Sequence, residues 1–240
     1  QATSFTHTIT YKCGSASGTI ATKSSSTSIS WTPQLALAQQ NTTGSSVSIT
    51  LTITTYSGDT SVGSNSYTIT CSIPASVKPT VSMNLSDDAG YLSTFGKYIQ
   101  GMSKVKVSLT ASGNQGSTIK SYKVVVDGRT YGSSSFTTNV ISGSGVLTVE
   151  ATVTDSRGRT ATTSTTITVA EYAKPKFTSL SVKRSDSSGN SSSSGAYLAV
   201  RFSSVVTPID NKNTATYTIK YKKETASSYT TKTLSSFDNN

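Results

Sequence analysis

Residues 46–53 read SVSITLTI, and residues 147–153 read LTVEATV. In both stretches apolar residues alternate with Ser, Thr or Glu, which is the period-two pattern of a β-strand with one buried face. A polar turn and a second alternating stretch follow in each case and lead to a Lys-Pro pair, Lys78-Pro79 or Lys174-Pro175. The two prolines are 96 residues apart (175 − 79), close to the length of about 100 residues of one immunoglobulin-like sandwich. This duplication predicts tandem β-sandwich domains, an organisation typical of proteins that hold, space or bind other molecules.

The composition fits an all-β chain with a polar coat. Only 33% of the residues are hydrophobic and 13% are charged, values that can indicate disorder. The hydrophobic residues are not scattered, however, because they occupy every second position of strand-like stretches. The 89 Ser and Thr residues fill many of the positions between them, and the β-branched Thr suits an exposed strand face. The sequence therefore predicts an all-β fold of tandem immunoglobulin-like or fibronectin-like β-sandwich domains in an elongated array.

Three domains are predicted, at residues 1–76, 77–173 and 174–240. The third is predicted to be incomplete, because only 65 residues follow Pro175 (240 − 175) against 96 for a full repeat. Either this domain lacks its last strands or the natural chain continues. We expect continuation, because an open sheet edge invites aggregation. The Lys-Pro pairs predict short, fairly stiff joints, since proline fixes its own φ and makes the preceding residue extended.

Local motifs predict four further features. Trp31, the only tryptophan, is expected in a strand at the centre of the first core. Residues 35–40 are expected to form one helical turn. Asp127-Gly128 between β-branched and aromatic residues predicts a two-residue hairpin turn. Arg157-Gly158-Arg159 is expected to be a solvated hairpin tip.

The sequence shows no constellation of residues that would support catalysis, and no catalytic, metal-binding or cofactor-binding residue is predicted. His7, the only histidine, lies in a strand pattern without the partners that a triad or metal site needs. Cys13 and Cys71 are favoured as free thiols because Val169 occupies the position of Cys71 in the second repeat, although a disulfide stays open. Residues 87–90 (DDAG) lack the spacing of a calcium loop and predict a solvated turn. We therefore expect that this protein is not an enzyme.

Positive charge is concentrated at the C-terminal end. The formal charge of +10 divides into +1 for residues 1–76, +3 for residues 77–173 and +6 for residues 174–240. The candidate residues for contact with a polyanion or a cell wall are six cations of the last segment: Lys183, Arg184, Arg201, Lys220, Lys222 and Lys223.

Three interpretations of this charge stay open. The cations could bind nucleic acid with neighbouring tyrosines as stacking groups, but no nucleic-acid motif is present and no specific nucleic acid is expected as a partner. They could bind an anionic wall polymer such as teichoic acid. They could equally keep the protein soluble and protect strand edges from pairing.

Five segments resemble a family of minor structural proteins of siphophages that infect streptococci and related Gram-positive hosts. These are residues 29–33 (ISWTP), 98–101 (YIQG), 103–107 (SKVKV), 117–122 (STIKSY) and 153–160 (VTDSRGRT). The resemblance covers the chain to about residue 223. It implies immunoglobulin-like domains, a place in the virion tail and assembly in the host cytoplasm, where thiols stay reduced. It supplies no catalytic residue.

The predicted function is that of a non-enzymatic virion structural protein, a tail-associated array acting as a spacer and as a module for adhesion to the host surface. The expected partners are other tail proteins and host cell-wall glycan or teichoic acid. No membrane span is expected, because no stretch has the roughly 18 consecutive apolar residues that one needs. The alternatives are a bacterial surface adhesin or stalk of similar repeats, and a carbohydrate-binding module.

Overall fold

Alternating apolar and hydroxyl residues form a four-stranded antiparallel sheet at the start of the chain, in a computed structural model that describes residues 5–234. Its strands, in the sheet order β2-β1-β3-β4, have the following bounds: β1 Phe5–Cys13, β2 Ala16–Ser24, β3 Ser46–Ser57 and β4 Thr60–Ser72. In the β3–β4 hairpin Ile49 pairs with Ile69 and Thr50 with Thr68, so one face is apolar and the other carries hydroxyl groups. The first copy of the repeated sequence pattern, which begins at residue 46, therefore forms a β-hairpin.

The core of this sheet lies under a short 3₁₀ helix, Leu35–Gln40, where the sequence predicted a helical turn. The buried cluster contains these residues: Cys13, Leu37, Ala38, Val47, Ile49, Ile73 and Val77. Trp31 is half-buried against this cluster and stacks on Tyr11, with 4.8 Å between ring centroids. The prediction that Trp31 forms the centre of the core from within a strand is wrong, because Trp31 lies in the connection after β2 and Ile49 is fully buried instead.

The middle of the chain forms two further sheets and one short helix. Their elements are β5 Thr80–Asp87, α1 Tyr91–Phe95, β6 Tyr98–Ile99, β7 Val105–Ser112, β8 Ile119–Val126, β9 Arg129–Tyr131, β10 Ser135–Thr137, β11 Gly145–Asp155 and β12 Thr160–Ala170. The sheet orders are β10-β7-β5 and β6-β12-β11-β8-β9. Asp127 and Gly128 have φ of 50° and 70° and join β8 to β9, which confirms the predicted hairpin turn.

The last part of the chain forms two separate hairpins. Their strands are β13 Lys176–Ser185, β14 Tyr197–Val205, β15 Tyr217–Tyr221 and β16 Thr230–Leu234. β13 pairs with β14 and β15 with β16, each in an antiparallel two-stranded sheet. With sixteen strands among residues 5–234, the predicted all-β class is confirmed.

The described residues group into two compact units. The first contains residues 5–86, 106–137 and 148–166, and the second contains residues 87–105, 138–147 and 167–234. The division into domains at residues 1–76, 77–173 and 174–240 stays a prediction. Between residues 5 and 234, no helix has the length and apolar character that crossing a bilayer would require.

Candidate functional site

The groups that could carry chemistry are dispersed. The Nδ1 atom of His7 lies 3.0 Å from the Thr55 hydroxyl, across the β1–β3 pair. A carboxylate oxygen of Asp87 accepts the backbone N–H of Leu92 at 3.1 Å, so this side chain holds the start of α1. Within residues 5–234, no three His, Cys, Asp or Glu residues come together in a way that could hold a metal ion.

The two cysteines lie in or against the core of the first unit as free thiols. Cys13 is buried and Cys71 is half-buried. Burial raises the pKa of the Cys13 thiol, and interaction with Cys71 raises it further. A thiol held in its neutral form is a poor nucleophile, so neither its place nor its ionisation suits Cys13 for catalysis.

Two of the six candidate cations, Lys183 and Arg201, share one face of the β13–β14 sheet. Lys183 pairs with Ala199 and Arg201 pairs with Ser181, so both side chains project on the same side. Tyr197 lies two residues before Ala199 on this face and is exposed. We call Tyr197, Lys183 and Arg201 the basic face of this sheet.

The other four candidate cations lie elsewhere. Arg184 follows Lys183 and therefore projects from the opposite face, where its Nε donates to the Gly195 carbonyl at 3.0 Å. Lys220 belongs to β15 of the second hairpin, and Lys222 and Lys223 follow the end of that strand. The strand registers thus bring together only Lys183 and Arg201. The ammonium group of Lys222 lies 5.3 Å from the Tyr229 ring centroid.

The β11–β12 turn holds a site that the sequence interpretation missed. Asp155 is fully buried, with 0% of its surface exposed. Its Oδ1 atom accepts the backbone N–H groups of Arg157 and Arg159, at 3.0 and 2.9 Å. This carboxylate fixes the turn, so that both arginine side chains extend from a preorganised backbone.

Arg157 donates to four backbone carbonyl groups. Nη1 bonds to Asn114 O at 2.7 Å, while Nη2 bonds to Gln115 O at 2.6 Å and to Ala38 O at 2.9 Å. Nε and Nη2 both bond to Asn41 O, at 3.2 and 3.0 Å. This guanidinium therefore ties the end of the 3₁₀ helix to the loop between β7 and β8.

Arg159 binds the segment that leads to the Lys78-Pro79 pair. Its Nη1 donates to Pro74 O at 2.7 Å and to Val77 O at 2.6 Å, and its Nη2 donates to Ile73 O at 2.7 Å. The prediction that residues 157–159 are a solvated tip is wrong, because both arginines are half-buried and donate to backbone across the predicted joint. We call Asp155, Arg157 and Arg159 the arginine clasp.

The Lys174-Pro175 joint has different contacts, all within the second unit. Lys97 and Asp210 form an ion pair with 2.7 Å between Nζ and Oδ2, and their side chains are 35% and 50% exposed. The ammonium group of Lys212 donates to Phe95 O at 3.2 Å. Water and salt screen the Lys97–Asp210 pair, so this ion pair contributes little on its own.

An open groove of 690 Å³ lies beside this second joint. The side-chain amide of Gln100 is already engaged there, since its nitrogen donates to Ser142 O at 2.8 Å and its oxygen accepts the Tyr172 N–H at 3.2 Å. The Thr207 hydroxyl accepts the Ala173 N–H at 3.3 Å. These polar groups hold the loops together rather than converging on a ligand.

Comparison with known proteins gives one family match. The family described as "Siphovirus protein of unknown function (DUF859)" matches residues 1–237. Comparison with curated proteins found no match. Among solved structures, the chain is similar to the fibronectin(III)-like modules of Clostridium thermocellum CbhA, with 12% identity, a TM-score of 0.33 and coverage of 71% of this chain and 82% of that chain.

Proposed function

We propose that this chain, which belongs to the siphovirus family described as "Siphovirus protein of unknown function (DUF859)", is a non-enzymatic structural protein of the phage tail that spaces and presents a host-contacting surface. The resemblance to a siphophage family is confirmed at this level, whereas the streptococcal host and the immunoglobulin-like assignment stay predictions. Membership of a siphovirus family favours this function over a bacterial surface adhesin. Assembly in the host cytoplasm fits the free thiols.

The arginine clasp is the observation that carries the spacer role. Arg157 makes five hydrogen bonds and Arg159 makes three, and six of these eight bonds join residues on opposite sides of the Lys78-Pro79 joint. Hydrogen bonds of charged groups contribute about 1.5–3 kcal/mol each when considered singly, although bonds of one side chain are not additive. A joint held in this way resists bending. A spacer needs this resistance, whereas a catalytic cleft does not need it.

The spacer role is tested by measuring the distance distribution between spin labels at Ser64→Cys and Thr130→Cys, in a Cys13→Ala, Cys71→Val background. Both label positions are exposed and belong to the first unit, one in β4 and one in β9. We expect a narrow distribution that broadens in Arg157→Gln. Arg129→Gln, at an exposed arginine of the Asp127-Gly128 hairpin, is the matched control and should leave the distribution narrow. A distribution that stays narrow in a folded Arg157→Gln protein would contradict the proposal.

The basic face supports the second half of the proposal, contact with an anionic wall polymer such as teichoic acid. Lys183 and Arg201 are exposed on one face, and neither forms an ion pair with another residue between 5 and 234. Two cations beside an aromatic ring suit a chain of phosphate and sugar groups, because the cations bind phosphate and the ring packs on the sugar. Many copies in one particle would multiply a weak single contact.

Purified host cell walls, with and without teichoic acid, test this contact across a salt series. We expect binding to require teichoic acid, to fall with salt and to fall in Lys183→Gln, Arg201→Gln. The control variant is Lys120→Gln, Lys123→Gln, which removes two exposed cations from β8. Binding that depends on neither teichoic acid nor salt concentration would contradict the proposed electrostatic contact, but it would not bear on the spacer role.

A further inference from the structure

The face of the β13–β14 sheet opposite the basic face is apolar and exposed. Leu180 pairs with Phe202 and Val182 with Val200, so these side chains lie on one side. A register shift between residues 177 and 179 inserts an extra residue and brings Phe177 to the same side. The exposed fractions are 57% for Phe177, 63% for Leu180, 55% for Val182 and 59% for Leu198. We call these four residues the apolar face.

The second hairpin covers this face only in part. Phe177, Phe202 and Tyr217 form an aromatic cluster at one end, with ring centroids 5.2 Å apart for the two phenylalanines and 5.3 Å apart for Phe202 and Tyr217. A cavity of 280 Å³ lined by both hairpins remains beside the cluster. Four adjacent large apolar side chains that are each more than half exposed mark an interaction surface rather than ordinary surface variation.

The positive charge around the apolar face favours an acidic binding partner. Arg184 projects on the same side, next to Leu198, and Lys220 lines the cavity. Two acidic residues of this segment are already engaged: Asp186 accepts the N–H groups of its own loop, and Asp210 pairs with Lys97. Because residues 174–240 carry a net charge of +6, a second copy of this surface would be repelled.

We propose that the apolar face binds an extended, acidic segment of another virion polypeptide, which lies across this face and contacts it through apolar residues at alternate positions. The segment contacts the face rather than the edge of β13, because Ser191 already pairs with Ser185 at that edge and the Ser192 N–H donates to the Arg184 carbonyl at 3.1 Å. The open part of the face, from Leu180 to Arg184, spans about five residues of strand, or roughly 17 Å. A polyanion without apolar groups would leave Leu180, Val182 and Leu198 uncovered.

This inference does not depend on the wall contact, which concerns the opposite face. The test uses the full chain and fluorescent synthetic peptides of about seven residues with alternating Glu or Asp and Val or Ile, a length set by the open part of the face. Peptide binding is followed by anisotropy. The comparison peptides are a composition-matched sequence with the apolar residues in one block and a version with Lys in place of the acidic residues.

We expect the alternating acidic peptide to bind, and to bind more weakly with added salt. Val182→Thr, Leu198→Thr should weaken binding by about tenfold or more, because the change removes apolar contacts. Thr suits strands and both side chains are already exposed, so the variant should fold. Val62→Thr is the matched control, because Val62 is also 55% exposed but lies on β4.

Three outcomes would overturn the proposal. The first is equal binding of the alternating and blocked peptides, or no binding of either by a folded protein. The second is self-association of the chain in sedimentation that is abolished by Leu198→Thr, which would assign the face to a second copy. The third is binding of purified teichoic acid that requires Val182 and Leu198, which would assign the face to a wall polymer. In the first outcome the wall assay with Lys183→Gln, Arg201→Gln still reports separately on the basic face.

Discussion

Nε and Nη2 of Arg157 both donate to the carbonyl oxygen of Asn41, at 3.2 and 3.0 Å. Asn41 follows the 3₁₀ helix and lies 116 positions before Arg157 in the chain. A guanidinium group has a fixed planar arrangement of donors, so this contact and the bonds to Ala38, Asn114 and Gln115 hold the side chain in one orientation. The predicted joint at Lys78-Pro79 is therefore bridged by side chain to backbone bonds, which depend little on the identity of the contacted residues.

Arg157→Gln should lower the free energy of unfolding of the first unit by about 2–4 kcal/mol, because several carbonyl groups lose a charged donor. Arg157→Lys should recover only part of this loss, since one ammonium group cannot reproduce the planar set of donors. Urea unfolding followed by hydrogen exchange of β3 and β11 amides measures the effect. Arg129→Gln should change stability by less than about 0.5 kcal/mol. Equal effects of the two glutamine variants would show that the clasp is not stabilising.

Asp155→Asn should be milder than Asp155→Ala. The Asn side chain keeps one oxygen that can accept the N–H groups of Arg157 and Arg159, whereas Ala leaves both donors without this partner. The second carboxylate oxygen, Oδ2, is buried without a hydrogen-bond partner among the described residues, so no bond is lost where Asn places its amide nitrogen. We expect losses of about 1 kcal/mol for Asn and about 3 kcal/mol for Ala in thermal unfolding. The reverse order would contradict this role of Oδ1.

Cys13 should react slowly with iodoacetamide at a mildly alkaline pH at which an exposed thiol reacts readily. Burial and Cys71 raise its pKa, so the neutral thiol is the favoured form in the folded protein. The stabilisation linked to this shift is complete below the ordinary pKa of a thiol and is lost as the pH rises through the raised value. Mass spectrometry of the alkylated protein, folded and in urea, measures the difference. Equal rates in both states would contradict it.

Gly113→Ala should destabilise the protein more than Gly128→Ala. A Cβ atom at Gly113 would lie 1.8 Å from the Ser117 carbonyl oxygen, so the backbone of this loop would have to move. A Cβ atom at Gly128 would have no atom within 4 Å, and its cost comes only from the φ of 70°. We expect a loss of about 1 kcal/mol at Gly128, and a larger loss at Gly113, in urea unfolding. A smaller loss at Gly113 would show that its loop adjusts easily.

The strands could be predicted from the sequence because their signal is local. Alternation predicted the strands that form β3 and β11, and Asp127-Gly128 predicted its hairpin turn. The arginine clasp could not be predicted in this way, because its acceptors are carbonyl groups that every residue carries and that lie up to 119 positions away. The basic face could have been predicted from the sequence, since the alternation of a strand places Lys183 and Arg184 on opposite sides.

The second joint should loosen under conditions that leave the first unchanged. Lys97 lowers the pKa of Asp210 through a hydrogen bond and through its charge, so their contribution is present above the ordinary pKa of a carboxyl group and is lost as the pH falls through the lowered value. Salt screens this exposed pair, whereas the half-buried guanidinium to carbonyl bonds of the clasp are screened less and their acceptors do not titrate.

Spin labels at Ser93→Cys and Ser187→Cys, both exposed and in the second unit, measure the effect. We expect their distance distribution to broaden at about 1 M salt, where charge interactions extend only about 3 Å, and in Asp210→Asn at low salt. The labels at residues 64 and 130 should report no change. Broadening of both pairs of labels together would mean that the two joints depend on the same electrostatic contacts.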